Sequence, residues 1–528
     1  MKKYSFIYGT ILLVIVNFIV RSLGFIYKII FSRLIGPEAI GLYQIVFPFL
    51  MVFITITSAG IPLAVSRIVA KENSLNNRIG IYKVLSVSLF IGGILSLVLS
   101  IFLSINMDFI VTKILKNRAV YYPLLFSIPS IGLITFSGIF RGFFYGLKDM
   151  KPPANAQIFE QVSRIAFVLL YLLYKKPSNP IIGATIGVIG ISIGEFFGLL
   201  YLILRFNMKK LSAKIHFIRT YTESSFKIAS SILFIALPIS IGRLASTLLQ
   251  TATSILIPQR LVMAGYTTSE AIQIFGKITG MAMPLLFFPF TVTSALSVNI
   301  IPNISEQIAM NRLDDVNKQC NLAIKITLLV AIPVTITYAA FGNFLGHLIY
   351  RDLDVGKYLT VISYSTIFLC MQQTLSSILH GMGKQVISTL NFLLGMVIQL
   401  YCTYFLVSNP IYGINGFFIG YVTSAFVIFI LNLIVLKRSI KIKFSVIELF
   451  VKPTFCSILV VCSMLYIYKG SFIIVGNELL STFIAALTGG ILYLTLLTIT
   501  KTLNTKSMMI RSFEKFFKTN SFSKEKYR

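Results

Sequence analysis

Long apolar runs separated by short polar connections dominate this chain of 528 residues. A transmembrane α-helix needs about 20 predominantly apolar residues, and most of the runs approach or exceed that length. The pattern predicts an all-α polytopic membrane protein with about fourteen transmembrane helices. The predicted helices cover residues 5–31, 40–66, 82–105, 121–145, 154–174, 181–204, 228–257, 270–300, 320–341, 359–380, 387–407, 413–436, 452–468 and 478–500.

The composition agrees with a membrane protein. Hydrophobic residues make up 56% of the chain and charged residues 12%, with a mean hydropathy of +0.85. Soluble domains carry about 25% charged residues, so a water-soluble fold is excluded. The apolar run at the N-terminus is too long for a signal peptide and has no small-residue cleavage site, which predicts a first membrane helix.

Basic residues concentrate in alternate connections between the predicted helices. The net charge is +30, from 47 Lys and Arg against 17 Asp and Glu. The connections with more Lys and Arg are expected on the cytoplasmic side, which excludes nucleic acid as a partner and places both termini in the cytoplasm. These basic connections are 71–78, 141–151, 205–220, 436–443 and the tail after 501, whereas 36–41, 178–180, 408–410 and 469–478 carry few basic residues. Residues 113–118 form a basic exception on the outer side.

Short motifs recur in the same order in the two halves of the chain. The pairs are Phe47-Pro48-Phe49 with Phe288-Pro289-Phe290, Ile61-Pro62 with Ile301-Pro302, Gly146 with Gly381, and Ser178–Ile181 with Ser408–Ile411. Two parallel six-helix lobes are therefore expected, with the substrate between them. The predicted divisions are an N-lobe at 1–210, a linker at 211–227, a C-lobe at 228–440, two extra C-terminal helices at 441–500 and a basic tail at 501–528.

The first predicted helix carries basic residues deep within its apolar run. Arg21 lies about 16 residues into the helix, or roughly 24 Å at 1.5 Å per residue. Lys28 follows seven residues later on the same helical face. Gly24, between them, leaves room for a ligand group or for another helix. Charges inside a membrane span usually face a cavity or a partner.

The seventh predicted helix has a similar arrangement. Arg243 lies deep in the run and Gln250 follows seven residues later. Arg33 and Arg260 come near the outer ends of the two helices. Together these residues predict a cationic chamber between the lobes that opens outward. The alternative is that Arg21 and Arg243 reach the interface or pair with acids of the protein.

Only two of the acids, Glu160 and Glu195, lie well inside predicted helices. Arg164 is four residues after Glu160, so either an internal ion pair or a role in gating or proton binding is expected for Glu160. The predicted gating or structural polar residues are Arg141, Glu160, Arg164 and Glu195. Few acids remain to neutralise the deep basic residues, which indicates an external anion. Phosphate matches the forked donors of arginine.

The chain shows no constellation typical of an enzyme. Its five cysteines form no CxxC pair, its three histidines are far apart, and neither a Walker A loop nor an HExxH motif is present. We therefore expect a secondary transporter with no cofactor and no bound metal.

The first helix resembles a known family. Arg21-Ser-Leu-Gly24-Phe25, followed by Arg33 and Gly36, resembles the lipid II flippases of the mouse-virulence-factor family. That family belongs to the multidrug/oligosaccharidyl-lipid/polysaccharide exporter superfamily. The resemblance implies that Arg21 and Arg33 line the central cavity. Tyr27 stands where the family often has a further arginine.

A second segment resembles the stage V sporulation protein B branch of this superfamily. It comprises Arg141–Gly146, Pro152, Gln157 and Glu160–Arg164. The similarity extends over the whole chain, including the helix count. It implies flipping of undecaprenyl-pyrophosphate-linked peptidoglycan precursor in a bacterial cytoplasmic membrane, with membrane lipid and cell-wall synthesis proteins as partners. Some family members bind sodium through a carboxylate in the second lobe, whereas predicted helices 7, 11 and 12 carry no acid.

Three other functions remain open at this stage. A flippase for another lipid-linked polysaccharide would need the same positive charges. A cation-exporting multidrug antiporter has the same general architecture but would need acids in its cavity. A membrane scaffold would have no reason to carry deep arginines in both halves.

Overall fold

A computed structural model describes residues 3–175, 177, 179–212, 223–440, 447–500 and 502. All regular secondary structure in these ranges is helical, which confirms the predicted fold class. The α-helices are α1 Lys3–Ser58, α2 Ile61–Ser74, α3 Arg78–Ile105, α4 Met107–Phe109, α5 Tyr121–Gly146, α6 Lys151–Lys175, α7 Pro180–Ser212, α8 Ser225–Met263, α9 Thr268–Gly276, α10 Met283–Leu286, α11 Phe290–Ala309, α12 Leu313–Tyr350, α13 Leu353–Ser363, α14 Thr366–Gly381, α15 Gln385–Phe405, α16 Asn415–Ser439, α17 Lys452–Val475 and α18 Glu478–Ile499. Single π-helical turns cover Ile110–Ile114, Lys277–Ala282 and Ile447–Val451.

Candidate membrane-spanning helices are recognised in the structure by their length and apolarity. Within the described residues, 11 helices are long and apolar enough to span a membrane, or up to 12 if a bent pair counts as one span. That pair is Thr268–Leu286 with Phe290–Ala309. The first of the 11 runs through a kink at Gly36, where φ is 80° and ψ is 173°. The count of fourteen therefore remains a prediction.

Three helices predicted as continuous are broken. The predicted helix 40–66 is interrupted at Ala59 and Gly60, 270–300 at residues 287–289, and 359–380 at residues 364–365. Apolarity continues through each break, so hydropathy gives no sign of it. Proline follows or lies within two of the breaks, at Pro62 and Pro289, as expected of a residue that cannot donate a helical hydrogen bond.

The local geometry supports the internal repeat. Asn76, Lys116 and Lys148 have positive φ, and the residues 235 positions later, Asn311, Arg351 and Gly383, also have positive φ. Few non-glycine residues adopt this conformation. The side chain of Asn179 accepts a hydrogen bond from the Ile181 amide over 2.9 Å, and Asn409 accepts one from the Ile411 amide over 3.0 Å. The paired motifs therefore form the same turns.

The first of two compact units comprises Met1–Thr291 and Val386–Ile428. One of its cores includes the fully buried Val65 of α2, Phe144 of α5 and Leu202 of α7. Asn77 caps α3 by accepting from the Gly80 amide over 2.9 Å, and Glu72 holds the Asn77 amide over 2.7 Å. Side-chain caps of this kind satisfy donors that a helix start leaves without an internal partner.

The second unit comprises Val292–Gln385 and Phe429–Arg528. Its core includes Ile304 of α11, Leu328 of α12 and Leu375 of α14. Tyr493 of α18 donates to the Leu329 carbonyl oxygen over 2.9 Å, which attaches the C-terminal helices to α12. The predicted lobes at 1–210 and 228–440 remain a prediction, and most of the linker, the start of 441–500 and nearly all of the tail lie outside the described residues.

Large apolar side chains cover the surface of the helices. Phe90 of α3, Phe234 of α8 and Ile473 of α17 are 70%, 81% and 84% exposed. Soluble monomers rarely expose extended apolar surface, whereas lipid chains solvate it. Together with the apolar helices, this surface shows a multi-pass membrane protein.

Helices α1 and α9 cross at two glycines, Gly41 and Gly276, with almost no space between backbones. A Cβ on Gly276 would overlap the Pro37 carbonyl oxygen and lie 3.0 Å from the Gly41 Cα. We expect Gly276→Ala to lower the free energy of unfolding by about 1–3 kcal/mol through overpacking, as measured by equilibrium unfolding in mixed micelles. Gly490→Ala in α18 is the control, because a Cβ there meets open space. Equal stability of both variants would show that the α1–α9 crossing relaxes freely.

Candidate substrate site

The predicted basic stripe of the first helix lies on α1 before the kink at Gly36. Arg21 is exposed and Lys28 is half-buried. The Lys28 ammonium forms no ion pair or side-chain hydrogen bond with any residue in the described ranges. A cation within a membrane-spanning helix normally has a partner or faces a water-filled space, and the role of Lys28 in binding an anion stays a prediction.

Gly24 makes room for another helix. A Cβ at this position would lie 3.4 Å from Nε2 of Gln161, whose side chain is buried between α1 and α6. Of the two roles the sequence allowed for Gly24, the structure shows the close approach of a helix. The direct contact of Gly24 with substrate stays a prediction.

Arg243 belongs to a polar seam between α8 and the second half of α1. Its Nη1 donates to the Ala59 carbonyl oxygen over 3.5 Å. The hydroxyl oxygens of Thr247 and Thr55 are 3.4 Å apart, and Thr251 donates to the Pro48 carbonyl oxygen over 2.8 Å. The three α8 residues are spaced by four and therefore share one face. Their partners on α1 come in the reverse order along the chain, so the two segments run antiparallel.

The partner of Arg243 does not neutralise it. Ala59 lies where α1 ends, and the last carbonyl groups of a helix attract cations because they lack internal partners. The carbonyl group is uncharged and so supplies no counter-charge, and the Arg243 side chain is exposed at the surface of α8. Within the described residues, Arg243 forms no ion pair.

The other predicted contacts lie further along the same two helices. Arg33 and Gln250 are exposed side chains of α1 and α8. Arg260, near the end of α8, places its guanidinium carbon 3.5 Å from the centroid of the Tyr404 ring. The stacking on Tyr404 is a contact that the sequence does not reveal, because these residues are far apart in the chain.

Four charged residues of α5, α6 and α7 form one ion network. Glu160 accepts from Arg141 and from Arg164, each over 2.7 Å, through its two carboxylate oxygens. Arg141 also lies 3.6 Å from Glu195. The four side chains are only 8–21% exposed. The i, i+4 contact between Glu160 and Arg164 follows from the sequence, whereas the link from α5 to α7 does not.

This network and other local contacts engage most carboxylates of the first unit. Glu160 and Glu195 form ion pairs with Arg141 and Arg164, so the two negative charges of the network balance its two positive charges. Further carboxylates in this unit bind Ser269 (Glu38), Asn77 (Glu72), Lys71 and Lys227 (Glu223), and Thr267 (Glu270). None of these contacts reaches Lys28 or Arg243, which leaves positive charge uncompensated in this part of the structure.

All seven predicted substrate-binding residues belong to the first compact unit. Helices α1 and α8 pack together, and Arg141, Glu160, Arg164 and Glu195 are in contact. The convergence of Arg21, Lys28 and Arg243 on one water-filled cavity remains a prediction. Sequence reasoning missed the contacts of Gln161 and Tyr404, although Gln161 belongs to the motif that carries the family resemblance.

Known proteins resemble this chain over most of its length. The sequence profile described as "Polysaccharide biosynthesis protein" matches residues 6–308, and that described as "MatE" matches residues 261–405. Stage V sporulation protein B of Bacillus subtilis (strain 168) is 28% identical over 84% of this chain and 86% of its own length. Lipid II flippase MurJ of the same organism is 24% identical over 74% of this chain and 75% of its own.

A solved structure shares the fold. Lipid II flippase MurJ in an inward closed conformation aligns with a TM-score of 0.68 and 17% identity, covering 93% of this chain and 98% of that one. The helical fold and the relatives define a membrane transporter of the multidrug/oligosaccharidyl-lipid/polysaccharide exporter superfamily, which is not an enzyme. More particularly, the chain belongs to the polysaccharide biosynthesis protein family, in the branch of stage V sporulation protein B and the lipid II flippases.

Proposed function

We propose that this transporter moves an undecaprenyl-pyrophosphate-linked peptidoglycan precursor from the inner to the outer leaflet by alternating access. The observation that carries the proposal is the uncompensated positive charge of Lys28 and Arg243 on α1 and α8. An anionic head group supplies the missing counter-charge. The relative called Lipid II flippase MurJ supports this substrate class.

The cost of moving the head group through lipid explains why a protein is required. Each polar group left without a partner in hydrocarbon costs several kcal/mol. Positive side chains in a hydrated crevice replace water around the pyrophosphate, and arginine binds phosphate oxygens with two parallel hydrogen bonds. The isoprenoid chain stays in lipid, where the apolar surfaces of α17 and α18 are available to it.

The membrane potential supplies the driving force in this proposal. An inside-negative potential favours outward movement of negative charge by about 2.3 kcal/mol per charge per 100 mV. Helices α8, α15 and α16 contain no Asp or Glu. A carboxylate for a coupling cation is therefore missing from these three helices. The cycle runs in the bacterial cytoplasmic membrane with both termini in the cytoplasm, during spore cortex or cell-wall synthesis.

Reconstitution tests the substrate class. Proteoliposomes containing the protein should translocate a labelled polyprenyl-pyrophosphate-linked precursor at least tenfold faster than empty liposomes, because the basic residues lower the barrier for the head group. The rate is measured by the accessibility of the label to an impermeant quencher, with an inside-negative and then a zero potential. A lipophilic cation serves as the competing substrate. Cation transport without precursor transport would contradict the proposal and favour a multidrug exporter.

A further inference from the structure

A small cavity of about 260 Å³ lies in the first unit, between the end of α8 and the connection that joins α3 to α5. Two basic side chains, Lys116 and Arg260, line it, and no acidic residue does. The remaining lining is apolar or neutral and includes Ile45, Leu115, Ile255, Pro258 and Ile272. Sites for drug-sized ligands measure about 300–1,000 Å³, so this cavity suits one anionic group rather than a whole precursor.

Arg260 is held in place but is not neutralised. Its guanidinium stacks on Tyr404 at 3.5 Å, and Nη1 donates to Sδ of Met263 over 3.1 Å. Its Nε is buried and has no hydrogen-bond partner in the described residues. Of the five donors of an arginine, most are therefore available to a ligand, and the aromatic ring keeps the plane of the group oriented.

The segment 113–118 is anchored to α8 beside Arg260. Gln259 donates through Nε2 to the carbonyl oxygens of Ile114 and Leu115, over 3.0 and 3.4 Å. Lys116 follows with φ of 51°, in the left-handed region that non-glycine residues rarely adopt. The side chain of Lys116 forms no ion pair within the described part of the chain.

The charges of this segment are not explained by membrane topology. Residues 113–118 are the basic exception on the predicted outer side, where the positive-inside rule disfavours Lys and Arg. Within the described part of the chain, Lys113, Lys116 and Arg118 form no ion pair with a carboxylate. A basic cavity with an apolar wall and no acid in its lining suits a phosphate group carried on an apolar chain.

We propose that the Lys116–Arg260 cavity binds the pyrophosphate of an isoprenoid-linked substrate at the outer end of the transport path. The inference rests on the proposed function and adds a second anion site beyond Lys28 and Arg243. Free pyrophosphate carries the same charged group as the substrate but has no isoprenoid chain. The apolar wall of the cavity can therefore contact only the lipid-borne group. Farnesyl pyrophosphate should therefore bind more tightly than inorganic pyrophosphate.

Calorimetric titration of the full-length protein in detergent at low ionic strength tests the site. The double variant Lys116→Gln/Arg260→Gln should bind farnesyl pyrophosphate at least tenfold more weakly. The matched control is Lys113→Gln/Arg118→Gln, which removes two charges from the same connection outside the cavity lining. It should stay within twofold of the unmodified protein. Unchanged binding by the first variant, or equal weakening by both, would overturn the site.

Two further measurements distinguish a failure of the Lys116–Arg260 cavity from a failure of the proposed function. Equal affinity for farnesyl pyrophosphate and inorganic pyrophosphate would overturn recognition of a lipid-borne group. In proteoliposomes, normal flipping by Lys116→Gln/Arg260→Gln together with loss in Arg243→Ala would refute the outer site alone. Normal flipping by Arg243→Ala would count against the proposed function, while the binding titration would still report on the cavity.

Discussion

Replacing Arg243 by alanine is expected to lower the flipping rate roughly tenfold to a hundredfold. A hydrogen bond to a charged group contributes about 1.5–3 kcal/mol, and each 1.4 kcal/mol changes an equilibrium or rate about tenfold. The guanidinium has only the Ala59 carbonyl oxygen as a partner in the described residues, so its removal leaves no buried carboxylate behind. The loss therefore reports on the substrate rather than on folding.

The comparison set for Arg243→Ala contains a conservative variant and a charge control. Arg243→Lys keeps the charge without the forked donors and should retain an intermediate rate. Arg438→Ala removes an exposed arginine at the end of α16 and should flip at the normal rate. Rates are compared at equal reconstituted protein. Full activity of both Arg243→Ala and Arg21→Ala would refute a cationic path.

The second large effect is expected for Glu160→Gln, which should lower the free energy of unfolding by about 3 kcal/mol. Removing one partner of a buried ion pair costs about 3–5 kcal/mol because the remaining charge stays buried without compensation. Glu160 faces two arginines, but the network is up to 21% exposed, so the lower end of the range applies. Unfolding by dodecyl sulfate in mixed micelles measures the change.

Two variants establish that the effect belongs to the network. Asp108→Asn removes the same charge from an exposed position in the first unit and should change stability by less than about 0.5 kcal/mol. The double variant Glu160→Gln/Arg164→Gln removes one acid and one base and should recover part of the loss. A single variant as stable as the unmodified protein would show that water already solvates Arg141 and Arg164.

Helix positions follow from the sequence where an apolar run ends at a polar turn. The predicted helix 121–145 corresponds to Tyr121–Gly146, and 82–105 corresponds to Arg78–Ile105. Leu313–Tyr350 is much longer than the predicted 320–341, because its ends are amphipathic and mean hydropathy does not register them. At the interruption at Ala59 and Gly60, Gly60 packs closely against Ala236 of α8, a contact that no local pattern reveals.

In the candidate site, too, only the contacts between residues close in the sequence could be predicted. The contact between Glu160 and Arg164 is local, since residues four apart share a helical face. The contacts from Arg141 to Glu195 and from Arg243 to Ala59 join residues 54 and 184 positions apart. Only the packing of whole helices brings such residues together. The sequence could therefore identify unusual charges but not their partners on other helices.

The α1–α8 seam and the ion network differ in how they respond to water. Each threonine or backbone contact in the seam contributes about 0.5–1.5 kcal/mol net, because water offers a near-equivalent partner. The network across α5, α6 and α7 has no such substitute while it is shielded from solvent. Water that enters between the helices can therefore separate α1 from α8, while the ion pairs hold α5, α6 and α7 together.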